Sequence, residues 1–309
     1  MTRKKTGLYL GPFLFCIVFF LQPFEGLNEQ ANAVLASTLW VATWWLTEAL
    51  PIAATALMPI VLFPITNGAP INQTTAAYGD KMLYLFVGGF IIAIAMQKWN
   101  LHKRIALLII SKVGINAQGI VLGFMLATGL LSMWISNTAT TLMMVTIAGA
   151  LITEIKNNGT EGSKHFFKAL LLSIAFSASI GGVATLVGTP TNPIFVAIAK
   201  KLYNEEFSFA SWMTFALPFS LIMLAVCWIV LTRVVFRLNT LYLPLGKEMI
   251  RNELKSLGRM SFEERSVAIV FVTTALLWIT RSFLLNHGFN DQEGLVEGIA
   301  KCESNHDGD

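Results

Sequence analysis

The chain has 309 residues, of which 55% are hydrophobic and only 13% charged, with a mean hydropathy of +0.63. A soluble domain carries about 25% charged residues, so a soluble fold is excluded for want of polar surface to cover it. The net charge of +4 is too small to argue for a nucleic-acid partner. The scattered Cys16, Cys227 and Cys302 lack the short spacing of a metal knuckle or redox pair. What remains is an all-α polytopic membrane protein, in which each helix satisfies its own backbone in lipid.

The first apolar segment covers residues 8–24, after the basic stretch Arg3, Lys4, Lys5. A basic start and a short apolar run resemble a signal peptide. However, Gln22-Pro23-Phe24-Glu25 offers no small-residue cleavage site, and a retained first helix is expected. The next apolar run, 33–65, would measure roughly 48 Å as one helix, against a hydrocarbon core of about 30 Å. It contains Glu48, Pro51 and Pro59. Proline disfavours helix at the residue before it, so the run is split near 48–51 into two short spans. Glu48 is either an intramembrane carboxylate of functional interest or part of a capped turn at the interface.

A further span covers 82–97. In 98–112 the basic residues Lys98, Lys103, Arg104 and Lys112 alternate with Leu101, Ile105, Leu108 and Ile109, a spacing that suits a helix lying in the interface. Residues 119–155 and 166–199 are apolar but interrupted, the first by Ser132 and Ser136-Asn137-Thr138, the second by Gly188-Thr189-Pro190-Thr191-Asn192-Pro193. A span at 212–235, a second interfacial helix at 245–257 (Ile250, Leu254 and Leu257 against Arg251 and Lys255) and a span at 267–285 complete the map. The tail from Asn286 has no apolar run.

Charge placement tests this map. With the N-terminus in the cytoplasm and 119–155 folded as a re-entrant hairpin, all of the 22 Lys and Arg except Lys81, Lys200, Lys201, Arg281 and Lys301 fall on the cytoplasmic side. This is the asymmetry of inner-membrane proteins. A simple span at 119–155 would destroy it.

Two constellations carry chemistry. Ser132 and Ser136 are four apart and share a helix face. Asn137 and Thr138 favour helix ends because their side chains compete for the backbone. A helix broken there presents carbonyls and side-chain oxygens suited to a hard monovalent cation, and amides of the next half-helix suited to an anion. The alternative is helix packing by small polar residues. Around Gly188-Thr189-Pro190, glycine and two prolines cannot continue a helix. Non-helical backbone inside a membrane is tolerated only where protein or water covers it. The alternative is a proline kink or an ordinary loop. Gly88-Gly89 reads as close helix packing rather than phosphate binding. No Ser-His-Asp arrangement, paired carboxylates, Walker loop or zinc motif is present, so an enzyme is not expected.

Together, Trp45-Leu46-Thr47-Glu48-Ala49-Leu50-Pro51, Phe86-Val87-Gly88-Gly89-Phe90, Leu101-His102-Lys103-Arg104-Ile105-Ala106-Leu107, Ser136-Asn137-Thr138 and Gly188-Thr189-Pro190 with Asn192 resemble the divalent anion–sodium symporter family of dicarboxylate, citrate and sulfate carriers. The resemblance implies an inverted-repeat, elevator-type transporter with a re-entrant hairpin and a broken helix in each repeat, working as a homodimer in the plasma membrane (the inner membrane of a bacterium). It implies secondary transport of di- or tricarboxylates such as succinate, malate or fumarate, coupled to sodium. Ser132, Ser136, Asn137 and the Gly188 backbone would hold one sodium ion, and Asn137, Thr138 and Pro190 would touch the carboxylate substrate.

Residues 1–113 would form scaffold helices with an interfacial helix, and 114–238 the transport domain with the first hairpin and broken helix. Residues 239–285 would be an interfacial helix and the first span of a second repeat, and 286–309 a polar tail. The rest of that second repeat is missing, so an incomplete chain that does not transport alone is expected. Pro190-Thr191 stands where many relatives have a proline pair, which leaves substrate choice open. A sodium-independent dicarboxylate exchanger or a related anion carrier, and from another class a non-transporting membrane scaffold, are the alternatives. Exchangers tend to place a basic residue where sodium would sit, and Ser132, Ser136 and Asn137 are neutral.

Overall fold

The computed structural model describes residues 3–24, 26–79, 81–113, 116–157, 163–205, 207–238 and 244–288. The expected tail lies outside the described residues from 289 onward, as does Cys302. The described residues are helical, with no strand among them. Five helical stretches among them are long and apolar enough to cross a membrane: Arg3–Leu21, Ile71–Lys98 (which holds two successive helices), Asn137–Asn157, Lys164–Val183 and Phe209–Val235.

The chain divides into two compact units, Met1–Tyr84 and Leu85–Asp309. The first contains α1 (Arg3–Leu21), α2 (Glu29–Thr47), α3 (Ile52–Ile65) and α4 (Ile71–Tyr78). Gly7 and Gly11 let α1 lie directly on α2, because a Cβ there would fall within 2.8 Å of Thr47, Trp40 or Trp44. Asn32 Nδ2 donates to Val18 O at 3.0 Å across the same contact. The expected split of 33–65 occurs: α2 stops at Glu48, which takes the left-handed conformation (φ 51°), and Pro51 caps the start of α3. Glu48 is exposed, 3.8 Å from Lys4, so it is a capped turn. The short α4 was not expected. Its eight residues, INQTTAAY, are too few and too polar for an apolar period to show.

Helix α5 (Lys81–Lys98) leads into the second unit, with α6 (Leu101–Lys112), α7 (Ala117–Ser132), α8 (Asn137–Asn157), α9 (Ser163–Val183), α10 (Thr191–Tyr203), α11 (Phe209–Ile229), α12 (Pro244–Ser256) and α13 (Phe262–Gly288). Helix α11 ends in a π-helical segment, Val230–Val235. The interior is built by α6 to α9 around Leu107, Ile110, Phe124, Met144, Leu151 and Phe166, all fully buried. Glycines set the closest approaches. A Cβ at Gly123 would meet Ile110 Cα at 3.2 Å, and one at Gly181 would meet Gly129 O at 2.3 Å. Gly89 approaches Val187 in the same way, with a built Cβ 3.3 Å from Val187 Cβ, which is the close packing read for the Gly88-Gly89 pair.

The amphipathic pattern of α6 and α12 becomes packing. Ile250, with Leu254 and Leu257 beside it, joins the same interior as Leu107 and Ile110. The buried face of α6 is rotated from the expected one, with Ala106, Leu107 and Ile110 inside and Leu108 outside. Charged groups then tie the rim. Arg104 Nε and Nη2 meet the two Glu264 carboxylate oxygens at 2.5 and 3.1 Å, and Nη1 donates to Gly258 O at 3.1 Å. Lys103 Nζ lies 2.6 Å from Glu253. His102 is buried, its Nδ1 2.8 Å from Met96 O. Burial holds its pKa below the ordinary imidazole value, and the neighbouring Lys103 charge adds to that effect.

Candidate functional site

Both interrupted runs become broken helices. Between α7 and α8 the chain leaves the helical path over residues 133–136, and between α9 and α10 over 184–190. Each break strands the last carbonyls of one helix and the first amides of the next. In a dry interior those groups need partners.

At the first break, Met133 N donates to Gly129 O at 3.2 Å, and Trp134 N and Ile135 N both reach Leu131 O, at 3.0 and 2.9 Å. Ser132 is fully buried. Its Oγ lies 2.6 Å from Asn137 Oδ1 and 2.6 Å from the Ala178 carbonyl of α9. A hydroxyl, a backbone carbonyl and the Asn137 carboxamide thus gather at one buried point, and the single hydroxyl proton serves one of its two neighbours. Ser136 Oγ accepts a long bond from Ala139 N, 3.4 Å. Thr140 Oγ1, in the first turn of α8, is buried and finds no partner among the described residues.

At the second break, side chains account for the end of α9 one carbonyl at a time. Ser220 Oγ donates to Ile180 O at 3.0 Å, and Ala184 N to Gly181 O at 3.0 Å. Asn192 Nδ2 donates to Gly182 O at 2.9 Å and to Thr185 O at 2.7 Å. Trp212 Nε1 reaches Val183 O at 2.9 Å. Thr185 Oγ1 donates to Met133 O and so joins the two breaks directly. Two glycines let the backbones meet. A Cβ on Gly182 would lie 2.3 Å from Asn137 Oδ1, and one on Gly188 would lie 2.4 Å from Gly182 O.

Trp134 seats the first break in an apolar crevice lined by Gly89, Ile92, Val187, Phe271, Ala275 and Trp278. It meets Phe271 edge-on, with ring centroids 5.0 Å apart.

Three of the four residues expected to hold sodium, Ser132, Asn137 and Gly188, therefore lie close together, while Ser136 Oγ contacts only Ala139 N among the described residues. Ser132 touches Asn137, and the Gly182 peptide lies against both Asn137 and Gly188. Ser132 and Gly188 are buried, while Ser136 and Asn137 are half-buried. Thr138 and Pro190 are exposed, and they sit at two helix starts, the second residue of α8 and the N-cap of α10. The structure shows no contact between them among the described residues. Sequence reasoning placed Gly182, Thr185 and Asn192 in the interrupted stretch 181–193 without giving them a role in the site, and did not single out the Ala178 carbonyl. Asn192 was visible as a polar residue between two prolines, whereas the Ala178 carbonyl leaves no sequence signal.

The family model described as the sodium:sulfate symporter transmembrane region matches residues 3–294. The chain is 44% identical over 289 residues to the sodium-dependent dicarboxylate transporter SdcS of Staphylococcus saprophyticus, covering 92% of this chain and 56% of that protein. It is likewise 44% identical over 290 residues to SdcS of Staphylococcus aureus strain MRSA252, again covering 92% and 56%. The chain thus spans little more than half the length of these curated relatives. With the family model matching nearly its whole length, this membrane protein belongs to the sodium:sulfate symporter family.

Proposed function

We propose that this chain supplies a sodium site and part of a carboxylate site for sodium-coupled transport of succinate-, malate- or fumarate-like dicarboxylates. One sodium ion is held by Ser132, Ser136, Asn137 and the Gly188 backbone. Asn137, Thr138 and Pro190 meet a substrate carboxylate. The observation that carries this reading is the group of three oxygens around Ser132 Oγ, each contact 2.6 Å, in a buried break shared by α7 and α9. Neutral oxygens gathered at one buried point suit a hard cation, and the lack of a carboxylate in the set suits a monovalent one.

Asn137 opens α8 and Pro190 caps α10. Helix starts offer amides and the positive end of the helix dipole to an anion. Because Asn137 belongs to both sets, sodium at one side presents positive charge to a carboxylate at the other. That shared residue is a physical route to coupling. The names of the staphylococcal relatives, sodium-dependent dicarboxylate transporters, support the same substrate class. Residues 1–113 serve as scaffold, 114–238 move with the site, 239–285 open the second repeat, and the interfacial helices at 98–112 and 245–257 link the domains. The distribution of Lys and Arg supports a cytoplasmic N-terminus, and the family resemblance supports a homodimer.

The test joins this chain to the remaining portion of the Staphylococcus saprophyticus relative and measures radiolabelled succinate uptake into proteoliposomes. Uptake driven by an inward sodium gradient, and lost in Asn137→Ala, is the expected result. Succinate counterflow that proceeds without sodium would replace symport by exchange. No uptake of any dicarboxylate by a folded chimera would remove the mechanism.

A further inference from the structure

The Gly182 peptide is where the two breaks meet. Its missing Cβ makes room for the Asn137 carboxamide, since a Cβ would stand 2.3 Å from Oδ1 and 2.9 Å from Nδ2. Its carbonyl oxygen lies under Gly188, 2.4 Å from where a Cβ on that residue would be. Two of the groups assigned to sodium therefore rest on one peptide unit. That unit is held by Asn192, whose Nδ2 donates to Gly182 O at 2.9 Å and to Thr185 O at 2.7 Å. An amide nitrogen carries two hydrogens, so both are spent. Asn192 is 5% exposed and stands in the first turn of α10, across the break from the carbonyls it serves.

We propose that Asn192 is a positioning residue for the sodium site: it fixes the Gly182 and Thr185 carbonyls, and through Gly182 the placement of Asn137 and Gly188, without touching the ion. The inference rests on the sodium reading above. Its chemistry is donor chemistry. An oxygen-rich ligand set needs acceptors, whereas Gly182 O needs a hydrogen, and Asn192 gives that hydrogen to the backbone. A side chain with the same shape but acceptors in place of donors therefore separates the roles. Asn192→Asp turns the two donors toward Gly182 O and Thr185 O into a carboxylate facing two carbonyls, which it repels. A sodium ligand changed from Asn to Asp would instead bind the cation more tightly.

The experiment is thermal unfolding of the 309-residue chain in detergent, titrated with sodium chloride against equal potassium chloride. A ligand bound only by the folded state raises the midpoint once its concentration passes its dissociation constant. The unsubstituted chain is expected to respond to sodium and not to potassium. Asn192→Ala raises the half-effective sodium concentration about tenfold, the size expected from losing charge-free hydrogen bonds to two buried carbonyls. Asn192→Asp raises it at least as far, and Asn192→Ser, which keeps one donor, falls between. The serine variant carries the test if the aspartate does not fold. Two outcomes overturn the inference: an aspartate variant that holds sodium as tightly as the parent, which makes residue 192 a ligand, or variants less stable in potassium with an unchanged sodium response, which makes it purely structural. A parent chain that ignores sodium overturns the sodium reading, and this inference falls with it.

Discussion

Three apolar runs in this chain are broken by polar residues or prolines, and they end differently. At 48–51 the chain turns where Glu48 is exposed and left-handed, and the turn is closed mostly by its own backbone: Ala49 N reaches Trp44 O at 3.2 Å and Glu48 N reaches Trp45 O at 3.4 Å, with one remote side chain, Arg3, donating to Leu46 O. At 133–136 and 184–190 the breaks are buried, and remote side chains close them. Thr185 reaches Met133, Asn192 reaches Gly182, Trp212 reaches Val183, and Ser132 lies between Asn137 and Ala178. An exposed break needs few partners from the rest of the chain, because its remaining backbone groups are open to their surroundings. A buried break must find partners for what its local backbone bonds leave over, and several of these come from other helices. The difference between a turn and a site here is therefore the number of partners brought in from elsewhere in the chain.

That contrast is broken most severely where backbone meets backbone. Gly181→Ala puts a Cβ 2.3 Å from Gly129 O and 2.6 Å from Gly129 Cα, and neither atom can step aside without moving α7. The expected loss is about 3 kcal/mol, read as a drop in the thermal midpoint and in folded yield from the membrane. A variant as stable as the parent would show that α7 and α9 are not held at this distance. Gly182→Ala has a smaller structural effect, because the obstructing atoms belong to the Asn137 carboxamide and a side chain can rotate. It costs about 1–2 kcal/mol, and it displaces Asn137. The sodium-dependent rise in thermal midpoint should then vanish while the protein still folds. A retained sodium response would mean that Asn137 is not needed there.

Thr185→Val tests the bond between the two breaks. Valine has the shape of threonine without the hydroxyl, so Met133 O loses its donor and nothing fills the place. A buried carbonyl left alone costs about 1–3 kcal/mol. The expected signature is faster hydrogen exchange in the first turns of α8 and α10, with the interior around Phe124 and Phe166 unchanged. Uniform loosening of the whole unit would mean that the bond serves general packing.

How much of this could be read without coordinates follows from the same contrast. The positions of all three breaks were legible, because Pro51, Asn137, Gly188 and Pro190 stand in runs that otherwise continue. The two amphipathic helices were legible from charge and apolar spacing, although the rotation that buries Leu107 and leaves Leu108 outside was not. Helix α4 escaped notice because eight mostly polar residues carry no period. The π-helical end of α11 escaped because Val230–Val235 contains no glycine or proline to announce it. Within the site, the local members were legible as a motif, since Ser132, Ser136 and Asn137 lie within one and a half turns. The partners were not. Ser132 meets a carbonyl 46 residues away, and a carbonyl has the same identity in every residue. Gly182 is special only because Asn137 and Gly188 arrive from other elements.

The smallest effect gives the sharpest control, because it lies in the break that the comparison assigns to solvent. Glu48 holds φ 51° and ψ 41°, a conformation that costs a residue with a Cβ roughly 1–2 kcal/mol and costs glycine almost nothing. Its contact with Lys4, 3.8 Å between exposed side chains, adds nothing measurable at that separation. Glu48→Gly trades a strained cap for the residue that the left-handed position prefers, offset by the extra freedom glycine brings to the unfolded chain. The net is a stability unchanged or raised by about 0.5 kcal/mol, with the sodium response untouched. Glu48→Ala keeps the strain and removes the charge, and it should leave both quantities where they are. If either variant abolished the sodium response, a carboxylate in the first unit would be acting on a site built entirely from the second. The division between a solvent-closed turn and a partner-closed site would then have to be drawn again with Glu48 on the other side.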